Sequence, residues 1–195
     1  MTARRARTLL VGMGNPILTD DGLGIRLAKD LHARLGDRTD LDVIEECRVG
    51  GLNLLDLVTG YDRLIVLDSI KTSGGRPGMW YYFDGRSLRE TMNLTNVHDT
   101  NLATALELGR RMGHRVPAEK DEHIFAVEIS DNQTFGESLT LEVAVAYPYL
   151  AREIFVKVAA LLAREAPRRG APRARGPARG APAGSGVRVV ASRRT

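Results

Sequence analysis

The sequence of 195 residues contains a single cysteine, Cys47. One cysteine excludes a disulfide within the chain and a cysteine-rich zinc site, and it fits a reducing compartment. Long apolar runs are also absent, since no segment approaches the roughly 20 apolar residues that a membrane span needs. The apolar run at residues 8–11 meets Gly12 and Gly14 before it reaches the length of a signal peptide. These absences predict a soluble, cytoplasmic protein with no membrane partner.

Acidic residues are missing from residues 166–195, which hold eight Arg. Residues 1–165 have 20 basic and 24 acidic side chains, a net charge of −4, although the whole chain carries +4. The positive charge therefore belongs to the tail, which argues against a nucleic-acid-binding surface on the fold. The Arg, Pro, Gly and Ala content of residues 166–195 predicts a disordered tail behind one domain, residues 1–165. Such a tail can attract anionic partners in a salt-sensitive way, but a solvated tail with no specific role is the preferred interpretation.

Several motifs of nucleotide and hydrolase chemistry are also absent. The sequence has neither G-x-x-x-x-G-K-S/T nor G-x-S-x-G, which excludes a P-loop and a serine-hydrolase elbow. The loop GMGNPILTDD, residues 12–21, has a glycine pair after an apolar run. A dinucleotide loop would need glycine where Ile17 stands, and Pro16 removes an amide that could face a pyrophosphate. A nucleotide-binding regulator is therefore the least favoured function.

The apolar pattern predicts alternating strands and helices. The predicted strands are residues 8–11, 41–45, 64–67, 79–83 and 124–129, and the predicted helices begin near residues 23, 52, 98 and 141. The aromatic strand 79–83 could lie at the sheet edge, and Pro148 is expected to kink the last helix or mark its start. The alternation predicts an α/β fold with three layers, α/β/α, around a twisted, mostly parallel sheet of about five strands.

Acidic side chains follow two of the predicted strands. Asp20 and Asp21 come after the first strand, and Asp68 ends the third. Ligands of open α/β sheets bind at the carboxyl ends of strands, so this edge is the candidate site. We interpret Asp20 as the N-cap of the helix near Leu23, since Asp is a favoured cap. For Asp68, spacing alone favours a structural and a functional role equally.

His98 stands at the start of a predicted helix, whereas His32, His114 and His123 are scattered among charged residues. A lone histidine is more often a surface residue, but a helix N-terminus favours the neutral imidazole that ligates metals. Asp21, Asp68 and His98 would together make a set of three N/O ligands with open coordination positions. Such a set suits Zn, Ni, Mn or Fe.

Cys47 follows Glu45 and Glu46, acids that disfavour a thiolate. It is interpreted as a partly buried, inert thiol rather than a nucleophile. Glu46, together with Asn15 and Asp20, is predicted to line the same crevice as the acids above. The pair Gly50 and Gly51 predicts a tight loop before the next helix.

Taken in their order along the chain, these motifs resemble those of the hydrogenase maturation proteases. Members of that family are endopeptidases that trim the C-terminus of the nickel-iron hydrogenase large subunit. The resemblance covers about residues 9–162 and rests on LLVGMGNPILTDDGLGIRLA, on VGGLNLLDLVTGYDRLIVLDSI, and on VHDTNLATALELG followed by IFAVEI. It implies a mostly parallel sheet between helices, and metal binding by Asp21, Asp68 and His98.

The resemblance implies cleavage of a hydrogenase large-subunit precursor only after nickel has been installed. Nickel would arrive with the substrate, with no organic cofactor, and the metal or an acid such as Asp21 would activate water or polarise the scissile carbonyl. A non-proteolytic nickel-binding chaperone on the same fold is the alternative. Family members commonly carry a D-G-G-type turn after the second strand, where this chain has Glu46, Cys47 and Arg48. The protein is expected to act as a monomer.

Overall fold

The computed structural model describes residues 6–47, 49, 53–90 and 97–164, and for residues 88–90 and 97–101 it describes the backbone only. The predicted tail 166–195 and the glycine pair Gly50 and Gly51 lie outside the described residues. Within the described ranges, no helix combines the length and the apolar character needed to cross a membrane.

Strands and helices alternate along the chain, as the apolar pattern predicts. The strands are β1 (Thr8–Met13), β2 (Leu41–Cys47), β3 (Arg63–Ile70), β4 (Trp80–Asp84) and β5 (Glu122–Glu128). The helices are α1 (Leu23–Leu35), α2 (Asn53–Val58), α3 (Gly85–Glu90), α4 (Val97–Arg111) and α5 (Leu141–Ala163), with a 3-10 turn at Glu119–Asp121. The prediction missed α3 and the 3-10 turn, because GRSLRE has one apolar residue and EKD has none, too few to give a periodic pattern. Pro148 lies inside α5 rather than at its start.

The five strands form one sheet in the order β2-β1-β3-β5-β4. All neighbouring pairs are parallel except β4 with β5, and β4 lies at the edge, as its aromatic sequence predicts. One apolar cluster packs α1 and α5 on one face of the sheet, and a second packs α2 and α4 on the other. The predicted three-layer α/β/α fold is therefore confirmed.

Strand β1 lies between β2 and β3 in the sheet. The chain therefore adds β2 on one side of β1 and then crosses to add β3 on the other side. The carboxyl ends of parallel strands form a binding crevice at such a switch point. Helix α1 begins directly above it: a Cβ atom on Gly24 would lie 2.4 Å from the carbonyl oxygens of both Met13 and Leu67. Glycine at this position therefore lets the first turn of α1 rest on the ends of β1 and β3.

Gly24→Ala is expected to destabilise the protein by roughly 2 kcal/mol or more, because the added methyl group meets backbone that cannot move independently. Thermal unfolding of the full chain measures this loss. The matched control is Gly136→Ala, where the new Cβ would meet its nearest atom, Thr19 Oγ1, at 3.7 Å. Equal melting temperatures for the two variants would contradict the close approach of α1.

Strand β2 contains a bulge near its carboxyl end. Val11 pairs with Ile44 and Met13 pairs with Cys47, so Glu45 and Glu46 together oppose Gly12. A bulge of this kind reverses the side-chain alternation beyond it. Cys47 consequently joins the apolar cluster of α2 and α4, to which Ile44 also packs.

The amino end of the sheet holds buried polar groups. His123 is buried, and the Tyr82 hydroxyl lies 2.7 Å from its Nδ1 atom. Burial and the nearby Arg63 lower the pKa of His123 to about 4, so the imidazole is neutral at physiological pH. Glu122 forms an ion pair with Arg110 beside it. These groups lie at the opposite end of the strands from the predicted site.

Candidate active site

Asp68 lies inside β3 rather than at its end, contrary to the prediction. The strand continues to Ile70 because Ser69 and Ile70 pair with Val127 and Glu128 of β5. The Asp68 side chain is buried, and its Oδ1 atom accepts a hydrogen bond of 2.8 Å from the Ser69 amide. Alternation along β3 places Asp68 on the face that carries α2 and α4.

Asp21 reaches the same edge from the loop between β1 and α1. Its Oδ2 atom accepts a hydrogen bond of 2.8 Å from the Asn15 amide, and its Oδ1 atom accepts one of 3.0 Å from the Ser69 hydroxyl. The loop is tight at Gly14, whose φ is 126° and where a Cβ would lie 1.9 Å from the Asp21 carbonyl oxygen. Ser69 therefore contacts both acids, one through its hydroxyl and one through its amide.

Sequence reasoning missed Ser69. The available signal was a small polar residue in a strand buried along its whole length, directly after a carboxylate. Buried hydroxyls need a hydrogen-bond partner, and the acids at the same strand edge can provide one.

Asp20 does not cap α1, so that interpretation is wrong. The N-cap residue of α1 is Gly22, which has no side chain that could cap the helix. The Asp20 carboxylate is fully buried and points towards the connection between β5 and α5. It accepts hydrogen bonds from the Thr140 amide at 2.7 Å, the Thr140 hydroxyl at 2.8 Å, and the amides of Ser130 and Asp131 at 3.1 Å each. Asp20 thus fixes the loop that carries Asp21 to residues 130–140.

His98 is the second residue of α4, as the predicted helix start requires, and its side chain lies outside the described part. The C-terminal end of α4 is followed by Arg115, whose carbonyl accepts a hydrogen bond of 2.7 Å from the Gly60 amide, just before β3. The helix is about 22 Å long and packs on the face of the sheet that carries Asp68. Its N-terminal end therefore lies towards the carboxyl ends of the strands.

Among the described side chains, no group of three or more His, Cys, Asp or Glu residues is close enough to hold a metal ion. The described members of the predicted ligand set are Asp21 and Asp68, which Ser69 connects. Metal binding by Asp21, Asp68 and His98 stays a prediction.

The other predicted crevice residues lie near this edge. Asn15 belongs to the Asp21 loop, where its Oδ1 atom accepts a hydrogen bond of 3.2 Å from the Ile17 amide. Glu46 is half-buried in the β2 bulge, with β1 between it and β3. Cys47 is buried, and burial together with the charge of Asp68 raises its thiol pKa. The interpretation as an inert thiol is supported, although burial rather than the neighbouring glutamates is the main cause.

A family model described as hydrogenase maturation protease, HycI, matches residues 25–156, more than half of the chain. The chain belongs to the hydrogenase maturation protease family. Asp68 and His98 lie within the matched residues, and Asp21 lies just before them.

Two relatives of this maturation-protease chain match over part of their length. The hydrogenase expression/formation protein HupD of Rhizobium leguminosarum bv. viciae is 29% identical over 110 residues, which are 55% of this chain and 54% of HupD. The hydrogenase 2 maturation protease of Escherichia coli (strain K12) is 29% identical over 108 residues, 55% of this chain and 65% of that protein. The chain thus spans between half and two thirds of the length of these relatives.

Solved structures of maturation proteases share the fold. The hydrogenase maturating endopeptidase HybD from E. coli has a TM-score of 0.66 at 23% identity, covering 79% of this chain and 93% of HybD. The HybD maturation protease from Thermococcus kodakarensis has a TM-score of 0.61 at 22% identity, covering 78% of this chain and 99% of that one. The five-stranded sheet flanked by helices is therefore the architecture of these solved structures as well.

Proposed function

We propose that this chain is an endopeptidase that removes the C-terminal extension of a nickel-iron hydrogenase large-subunit precursor after nickel insertion. Family membership supports the reaction class. The observation that carries the assignment of the site is the position of Asp21 and Asp68 at the switch point of the sheet, where each carboxylate accepts a hydrogen bond from Ser69. Apolar contacts are enough to pack an α/β core, so two acids at this edge are better explained by a function.

Nickel is part of the substrate in this proposal. Carboxylate oxygens of Asp21 and Asp68 and the imidazole of His98 supply three ligands, which leaves coordination positions for groups of the precursor that already hold the metal. The carboxylates favour a centre that holds the nickel cation over an empty one. Recognition thereby depends on whether nickel has been inserted, and no organic cofactor is required.

Peptide-bond hydrolysis needs water as nucleophile and a proton for the leaving amine. Asp21 is half-buried and Asp68 is buried, so Asp21 is the acid that water reaches more easily. In the proposed reaction Asp21 takes a proton from the attacking water and returns it to the amine as the C–N bond breaks. The substrate's nickel polarises the scissile carbonyl. We place this reaction in the cytoplasm, with the chain acting as a monomer.

The test incubates the full chain with a nickel-loaded large-subunit precursor from the same host and follows the intact mass of the precursor. We expect loss of a C-terminal peptide with the wild type and an intact precursor when nickel is omitted. His98→Ala is expected to abolish processing. The matched control is His114→Ala, an exposed histidine beyond the C-terminal end of α4, which should process the precursor at the wild-type rate.

A nickel-loaded precursor that keeps its full mass in the presence of the wild type would contradict the proteolytic function. Nickel transfer to the precursor without shortening would then favour the chaperone alternative. Equal processing by His98→Ala and His114→Ala would remove His98 from the site while leaving the protease assignment in place.

A further inference from the structure

Helix α5 has an apolar outer face in addition to its buried one. Its inward residues, such as Leu150, Ile154 and Val158, belong to the core. On the opposite side an outer stripe is exposed, with Leu141 at 80%, Val145 at 65%, Tyr149 at 76% and Val156 at 60%. Their spacing of four, four and seven residues places all four side chains on one face of the helix. A helix that only covers a sheet has polar residues there, so this face needs another explanation.

The stripe borders a groove between α5 and the edge strand β4. The groove has a volume of about 640 Å³, and Trp80, Tyr149 and Val156 form its apolar lining. Arg152 and Lys157 are exposed on its rim, and the Lys157 Nζ atom also lies 4.1 Å from the centroid of the Tyr82 ring. The acid of the rim, Glu153, already accepts a hydrogen bond of 2.8 Å from the Trp80 indole. The groove therefore suits an apolar segment that carries an acidic side chain.

The stripe begins at the candidate active site. Leu141 follows Thr140, whose amide and hydroxyl donate to Asp20, the neighbour of Asp21. The loop that ends there also carries Phe135, which is 79% exposed and next to the Asp21 loop through a β-bridge with Leu18. The exposed apolar surface thus continues from the carboxyl edge of the sheet down α5.

The distribution of exposed apolar side chains is one-sided. Eight large hydrophobic residues are exposed in the described part of the chain: Ile17, Met79, Met112, Phe135, Leu141, Val145, Tyr149 and Val156. All but Met112 lie at the carboxyl edge or on the outer face of α5. Met112 follows the C-terminal end of α4 at the other end of the molecule. Scattered exposed residues are ordinary, whereas a set gathered beside a site marks an interface.

We infer that the outer stripe of α5 and the adjoining groove are the docking surface for the body of the protein substrate. This inference rests on the proposed function. Because the stripe begins one residue after Thr140, which donates to Asp20 beside Asp21, a polypeptide bound over Asp21 reaches the stripe directly, and binding energy gained there helps to position the scissile bond. The chain's own segment 166–195 fits less well, since its eight Arg would face Arg152 and Lys157 on the rim.

The kinetic test compares Tyr149→Glu with the matched control Met112→Glu, both exposed large-to-acid changes. Tyr149→Glu is expected to raise KM for the nickel-loaded precursor about tenfold or more with kcat almost unchanged, because it removes binding outside the reacting centre. Met112→Glu should leave both constants unchanged. Equal KM values for Tyr149→Glu and wild type, with equal melting temperatures, would overturn the inference while the proteolytic function stands.

A direct measurement of affinity for the precursor tests the docking surface even if the chain does not cleave the precursor. If the wild type does not cleave, weaker binding by Tyr149→Glu alone still supports docking, and equal or absent binding overturns it. A photoreactive phenylalanine at position 149 of the full chain identifies the occupant by peptide mapping. A crosslink to the precursor supports the inference. A crosslink only to residues 166–195 or to a second copy of the chain overturns it, as does the lack of any adduct with bound precursor.

Discussion

Asp68→Asn is expected to lower the rate of precursor cleavage by at least about 100-fold while the chain stays folded. The amide retains the shape of the carboxylate and an oxygen that can accept from the Ser69 amide. It loses the negative charge, and a neutral amide oxygen is a much weaker ligand for a divalent metal. Single-turnover cleavage of nickel-loaded precursor, followed by intact mass, measures the effect on the reaction separately from product release.

The matched control is Asp121→Asn, which removes the charge of another buried acid, at the amino end of β5. Its cleavage rate should stay within about twofold of wild type, since the site is at the other end of the strands. Similar rate losses in the two variants would indicate a general effect of removing a buried charge. A wild-type rate for Asp68→Asn would exclude Asp68 from the site.

The strand order and layers follow from features that the sequence displays locally. Residues 64–67 are apolar without alternation, which indicates a strand covered on both faces, and β3 is the central strand with α1 on one side and α4 on the other. Strand ends were less predictable. β3 runs on through the polar residues Asp68 and Ser69 because β5 supplies hydrogen-bond partners there, and those partners are more than 50 residues away in the chain.

The location of the acids was predictable for a similar reason. The carboxyl ends of parallel strands share one edge, so Asp21 and Asp68 were expected there without knowledge of any side-chain contact. The connection between them was not predictable. It depends on the Ser69 side chain pointing towards the α1 loop, while alternation sends Asp68 to the other face.

Asp20 shows why the local interpretation of a residue can fail. An acid just before a helix is a good N-cap by propensity. Here the tight loop turns the Asp20 carboxylate away from α1, and partners at Ser130, Asp131 and Thr140 bind it instead. Those partners are 110 to 120 residues further along the chain, beyond the reach of any sequence window.

Asp20→Ala is expected to destabilise the protein by about 3 kcal/mol or more, because three backbone amides and one hydroxyl lose a buried charged acceptor together. For a domain of this size the loss corresponds to a fall in melting temperature of roughly 6–12 °C. Differential scanning calorimetry of the full chain measures it. Asp37→Ala is the matched control, since Asp37 is an exposed acid in the connection before β2 and its removal should shift the melting temperature by no more than about 2 °C.

The loss of stability in Asp20→Ala should appear first in residues 130–140, which the Asp20 carboxylate binds. Residues 130–140 are attached to the Asp21 loop by the Asp20 hydrogen bonds, by the Leu18–Phe135 bridge and by the Gly136 amide, which donates to the Ile17 carbonyl at 3.0 Å. With the carboxylate removed, the amides of Ser130, Asp131 and Thr140 lose their acceptor, and the loop keeps only contacts that do not involve this side chain. Limited proteolysis of Asp20→Ala is therefore expected to cut within residues 130–140 at temperatures where the wild type is resistant. Cleavage at the wild-type rate, or a melting temperature equal to that of Asp37→Ala, would contradict the role of Asp20 as the anchor beneath the site.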